Sequence, residues 1–227
     1  MSTHGILKAL LVAPLLTAGL TAGAAVTAAL VAGKHHRFGA TATEYRASLP
    51  GDGLLPEAQV QNDRACTIFA PPSAVWPWIA QLGQDKAGFY SFEFLENLAG
   101  CQITGATQIH PEWQNPAVDD AFPLHPDLAL RVAEVEPGRY LVATSQGGAA
   151  PGEMDFAMTW TFYLTSTAGP AGEQATRLHV RERYAAGNGS TRRMVDALSV
   201  VSAIMTWRMM SRLKTLCTQD ADGAAGA

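Results

Sequence analysis

The stretch Asp155–Thr165 reads DFAMTWTFYLT and alternates throughout. Phe156, Met158, Trp160, Phe162 and Leu164 fall on one side, and Ala157, Thr159, Thr161 and Tyr163 on the other. A period of two with the bulky apolar residues on one side marks a sheet strand with one face on a core. After a loop-like segment, TSTAGPAGEQA, the pattern resumes in Thr176–Tyr184, TRLHVRERY. Leu178, Val180 and Tyr184 share one side there, and Arg177, His179, Arg181 and Arg183 form a basic row on the other, which reads as a solvated convex face. Glu182 is out of place, because it shares the apolar side and must find a partner or a polar cavity. Upstream, LALRVAEVEPGRYLVATS (Leu128–Ser145) reads as two more strands joined by a tight turn at Pro137–Gly138.

Helices flank these strands. From about Thr191 to Cys217 the chain is apolar over most of a helical circumference, with Asp196, Ser199, Ser202 and Thr206 as a narrow polar stripe. Such a helix is expected to be mostly buried, lying across the apolar face of the sheet. On the other side, RACTIF (Arg64–Phe69) is a strand that stops at Pro71–Pro72. A helix capped by Ser73 then carries Val75, Trp76, Ile79 and Leu82 at helical spacing and ends at Gly83. A second short helix fits Phe92–Leu98, with Ser91 as its cap and Phe94, Leu95 and Leu98 as its apolar side. Glu93 and Glu96 fall in its first turns, where carboxylates favour the positive end of the helix dipole. The expected class is α+β: an antiparallel sheet wrapped around a long C-terminal helix.

The chain has 227 residues, 48% of them hydrophobic, enough for one sizeable core. Its net charge of −4 gives no electrostatic reason to expect nucleic acid as a partner. Cys66, Cys101 and Cys217 are odd in number and far apart, which fits neither a disulfide framework nor a zinc site. His110, Glu112, His125 and Asp119–Asp120 match no metal-ligand spacing, so no metal and no cofactor is expected. From Ala9 to Gly33 the chain carries no charge, which is long enough to cross a bilayer at about 20 residues per span. KHHR follows at Lys34–Arg37, and positive flanks tend to stay inside. Residues 1–36 are therefore read as a single-pass membrane anchor with the body in the cytoplasm. The alternative is a secretory signal cleaved near AGA at Ala22–Ala24, with the body secreted. Residues 37–62 follow as a linker, 63–218 as the domain, and 219–227 as a disordered tail.

The motifs go further than the element order. CTIFAPPSAVWPWIAQLGQDKAGFYSFEFLENLAG (Cys66–Gly100), then PEWQ, VEPGRYLV and TRLHVRERY, resemble the SRPBCC group of the START-like superfamily, in its bacterial polyketide cyclase/dehydratase-like branch. The resemblance spans about Arg37 to Leu216. It implies a helix-grip fold with an apolar cavity between sheet and long helix, open to hydrophobic ligands such as lipids, isoprenoids or polyketides. The residues expected at such a site are Trp78, Phe89, Tyr90, Phe92, Glu96, Trp113, Trp160, Glu182 and Met205. The expected function is membrane-anchored binding of a hydrophobic small molecule, with no catalytic residue assigned. The rival is a cyclase, aromatase or dehydratase, which would need Glu96, Glu182, Tyr90 and His110 to converge for proton chemistry. A GxSxG elbow and a phosphate loop are both missing from the sequence.

Overall fold

A computed structural model describes residues 33–98, 100–147 and 156–225, with side chains placed up to Thr218 except that of Leu95. The uncharged run from Ala9 lies outside the described residues up to its last glycine. Among the described residues no helix is long and apolar enough to cross a membrane. Residues His36–Ala227 form one compact unit, and the apolar core lies within it, so this unit has the means to fold by itself.

The unit is α+β. Seven strands form one sheet: β1 (Arg37–Phe38), β2 (Val60–Ile68), β3 (Ala121–His125), β4 (Leu128–Glu136), β5 (Tyr140–Thr144), β6 (Phe156–Ala168) and β7 (Gln174–Ala186). Their order is β1-β2-β7-β6-β5-β4-β3. Every pairing is antiparallel except that of β1 with β2. Among the described residues four α-helices are added: α1 (Ala42–Arg46), α2 (Pro72–Ala80), α3 (Glu93–Leu98) and the long α4 (Gly189–Ala225). α4 packs on β2, α2 and β7.

The alternation in β6 and β7 builds the centre. The two strands pair from Phe156↔Ala186 to Ala168↔Gln174, so the loop between them shrinks to five residues, 169–173. Phe162, Leu164, Leu178 and Val180 are buried on the inner face. There they meet Val75, Trp78 and Ile79 of α2 and Val195, Met209 and Leu213 of α4. α2 begins on Pro71 with Pro72 in its first turn and no side-chain cap, so Ser73 does not cap it. Proline's fixed φ preorganises that first turn instead.

The segment read as a linker is part of the fold. Strand β2 starts at Val60, and residues before it lie against the outer face of β2 and β7. The basic row on that face is therefore not solvated: His179 and Arg181 are 3% and 1% exposed. Arg181 spends all five N–H donors. Its Nε donates to Asp63, one terminal nitrogen to Asp52 and the Ala47 carbonyl, and the other to the carbonyls of Glu44 and Tyr45. Those carbonyls end α1, where a cation complements the helix dipole. Arg177 grips the Glu44 carboxylate with two hydrogen bonds of 2.7 and 2.9 Å. That contact, with the Thr41 capping box, holds the Glu44 pKa down at about 2.

Two further boundaries differ from expectation. β3 is a strand without a sequence signal, because it is short and interrupted by Pro123 and a register shift. α4 runs on to Ala225 through the expected tail, whose alanines and glutamine favour helix and contain no proline to stop it.

Candidate functional site

A cavity of about 490 Å³ lies between the inner sheet face, α4 and α3. The sheet contributes Phe156, Met158, Trp160, Glu182 and Tyr184. α4 contributes Leu198, Val201, Ser202, Met205 and Met209, and the α3 region Phe89, Ser91, Phe92 and Glu96. Strand register explains the sheet wall. Asn62, Glu182, Trp160 and Ala143 are successive cross-strand partners, so they form one row on the inner face. Around Trp160 the rings of Phe89, Phe122 and Phe162 have centroids at 5.6, 5.9 and 4.9 Å.

Under this wall lies a buried polar network that the sequence reading missed. Arg64, wholly buried, places Nη1 2.9 Å from Glu182 Oε2. Arg64 also donates to Ser202 Oγ at 3.0 Å and to the Ser199 carbonyl at 3.1 Å. Asn62 Nδ2 and Tyr184 Oη donate to Glu182 at 3.0 and 3.2 Å, and Ser202 Oγ donates to its other oxygen. Burial alone would raise the Glu182 pKa. The Arg64 charge and these hydrogen bonds outweigh it and hold the carboxyl below its ordinary range. Parity marks each residue as out of place, since Arg64 shares the side of Cys66 and Ile68 in β2 and Glu182 that of Val180 in β7, but it does not pair them.

The polar stripe of α4 answers this pair. Ser199 and Thr206 are buried and turned to the sheet, while Met194, Leu198, Val201, Ile204 and Trp207 are exposed. The expectation of a mostly buried apolar helix is corrected accordingly. Buried charge needs polar partners, and the stripe supplies them.

α3 is inverted in the same sense. Phe94 and Leu98, expected on its buried side, are 77% and 75% exposed, and Glu96 is 5% exposed. Asn97 sets the phase of this short helix. Its side chain donates to the Ile103 carbonyl and accepts from the Ile103 N–H, both at 2.8 Å. Ser91, expected as the cap, has an Oγ with no hydrogen-bond partner among the described residues.

Neither oxygen of Glu96 has a hydrogen-bond partner among the described residues. Burial, and secondarily the Glu93 charge, push its pKa up to about 7. The unfolded chain ionises it near 4.5, so the folded chain keeps the proton longer and stability falls as pH rises from there towards 7, staying lower above. The full shift corresponds to about 3 kcal/mol, and partial screening leaves about 1–2 kcal/mol. Glu96→Gln is expected to abolish this slope. Denaturant midpoints of parent and variant should coincide near pH 4, and the variant should be more stable by about 1–2 kcal/mol near pH 8.

Of the nine expected site residues, Phe89, Phe92, Glu96, Trp160, Glu182 and Met205 line the cavity. Trp78, Tyr90 and Trp113 do not. Trp78 is fully buried in the core. Tyr90 donates its hydroxyl to the Trp78 carbonyl at 3.0 Å and accepts from Gln81 at 2.9 Å. That tie holds Tyr90 at a φ of 54°, a left-handed conformation unusual for a bulky residue. Trp113 stacks on His110 at 4.2 Å, and His110 pairs with Glu112 at 3.2 Å, half-exposed. The set proposed for proton chemistry therefore does not converge: only Glu96 and Glu182 reach the cavity. A second, more open hollow of about 540 Å³ is lined by Phe94, Trp207, Arg208 and Arg212, among others.

No family model matches the chain. No curated protein matches it. Among solved structures it is similar to a protein from Mesorhizobium loti, at 20% identity over 70% of this chain and 97% of that one, with a TM-score of 0.39. A protein from Chromobacterium violaceum follows at 15% identity, 71% and 97% coverage, and a TM-score of 0.39. A conserved protein of unknown function from Enterococcus faecalis shows 16% identity, 73% and 79% coverage, and a TM-score of 0.34.

Proposed function

We propose that this protein binds a hydrophobic small molecule, of lipid, isoprenoid or polyketide-like type, in the cavity between sheet and α4, as a membrane-anchored member of the helix-grip, START-like SRPBCC group. The observation that carries the reading is the cavity itself: about 490 Å³, walled mainly by aromatic, aliphatic and methionine side chains, with a few polar groups. Concave apolar sites of this size are the usual form of a small-molecule site. The uncharged run from Ala9 to Gly33 supports anchorage, since an apolar ligand partitions into the membrane. Lys34–Arg37 supports a cytoplasmic body.

Binding without turnover is preferred to a cyclase, aromatase or dehydratase activity. Glu182 is neutralised by Arg64, Tyr90 and His110 are engaged elsewhere, and Glu96 has no acid–base partner among the described residues. Met205, half-buried in the wall, offers the test. An apolar fluorophore titrated into the His36–Ala227 unit is expected to bind saturably, and Met205→Trp, which narrows the cavity, to weaken binding about tenfold or more. Equal binding by parent and variant would place the fluorophore outside the cavity.

A further inference from the structure

We infer that the molecule held in this cavity carries an uncharged hydrogen-bonding group, a hydroxyl or a carbonyl, received by Ser91, Glu96 and Trp160. This inference rests on the proposed binding function and names the chemistry of its ligand. Three polar groups in one cavity wall have no hydrogen-bond partner among the described residues: Ser91 Oγ, both oxygens of Glu96, and Trp160 Nε1. Each of these atoms is covered by neighbouring side chains, and Ser91 and Glu96 are 6% and 5% exposed as residues, so a ligand group reaches them as these side chains turn towards the cavity. Buried polar groups are nearly always paired in folded proteins, so three unpaired ones around a single cavity call for a common partner. The other polar groups there are already used. Glu182, Ser202 and Tyr184 are tied to one another and to Arg64.

The donor and acceptor inventory then selects the ligand. Trp160 Nε1 only donates, Ser91 Oγ donates or accepts, and a carboxyl donates when protonated and accepts when ionised. A hydroxyl satisfies both kinds, donating to ionised Glu96 and accepting from Trp160 or Ser91. A carbonyl accepts from Trp160, Ser91 and protonated Glu96. With the Glu96 pKa near 7, both forms are populated around neutrality. A carboxylate ligand meets Glu96 as a like charge once it ionises. An ammonium satisfies Glu96 but turns its N–H groups on the Trp160 donor.

Three ten-carbon probes separate these cases: 1-decanol, decanoate and decylammonium. Each competes with an apolar fluorophore bound to the His36–Ala227 unit near pH 8, with Met205→Trp as the narrowed-cavity control. The alcohol is expected to bind about tenfold tighter than either charged probe, the worth of about one buried hydrogen bond. Glu96→Gln is expected to narrow the preference over decanoate to within about threefold. Trp160→Phe keeps the apolar ring and removes the donor. It is expected to weaken 1-decanol about fivefold and leave decane unchanged, which a merely structural role would not do. Equal affinity for the three probes, or tighter binding of a charged one, overturns the inference and leaves the binding function standing. Displacement by none of them, decane included, overturns the binding function as well.

Discussion

Glu182→Ala is expected to cost about 3–5 kcal/mol of stability, a large share of the 5–15 kcal/mol that holds a typical domain together. The carboxylate is 2% exposed and lies 2.9 Å from the wholly buried Arg64. Removing it leaves a guanidinium deep in the inner face without its counter-charge. Arg64→Met is expected to cost a similar amount, because it strands Glu182 in turn. The double replacement Arg64→Met with Glu182→Leu should cost far less than the sum, since two apolar side chains carry no desolvation penalty. Denaturant melts of the four proteins form a double-mutant cycle with an expected coupling of at least about 2 kcal/mol. An additive cycle would show that the pair contributes no mutual stabilisation.

The second large effect belongs to the outer face. Asp63 is fully buried and accepts from His179 Nε2 at 2.6 Å, Arg181 Nε at 2.8 Å and Gln61 Nε2 at 2.8 Å. Asp63→Ala removes three hydrogen bonds at once and leaves Arg181 with Asp52 as its remaining carboxylate partner. The expected cost is about 3–4 kcal/mol. It should be felt first as detachment of the covering segment that includes α1. Amide exchange in residues 42–55 is expected to quicken well before that of β6 and β7, because local opening of a surface layer costs less than global unfolding. Unchanged protection there would mean that the segment is held by other contacts.

These two clusters show where sequence pattern reaches and where it stops. The alternation of β6 and β7 needs only neighbours two residues apart, so Phe156–Leu164 and Arg177–Tyr184 could be assigned to faces directly. That Glu182 needed a partner was also legible, since a carboxylate among Leu178, Val180 and Tyr184 breaks the pattern. Its partner was not, because Arg64 lies 118 residues away and only register brings the strands together. The basic row failed for the same reason. Its cover is a period-free segment joined through carbonyls and carboxylates, such as the Arg181–Glu44 contact across 137 residues. For α3, six residues are too few for periodicity to fix a phase. The Asn97 clamp on Ile103 decides it, putting Glu96 inside and Phe94 outside. The cavity wall was readable in part. Phe89, Phe92, Trp160 and Met205 come from apolar clusters, whereas Tyr90 and Trp113 read alike in sequence and serve local packing around Gln81 and His110.

The binding function stands or falls on what the cavity holds when the protein leaves the cell. Native mass spectrometry of the His36–Ala227 unit, purified without detergent, measures this directly. The expected spectrum contains a species heavier than the polypeptide, whose extra mass is released on gentle activation and extracts into organic solvent. The Met205→Trp unit prepared in parallel should lack it. A parent unit that flies at its sequence mass alone, and that also fails to take up an added apolar probe, would contradict a hydrophobic ligand site between sheet and α4.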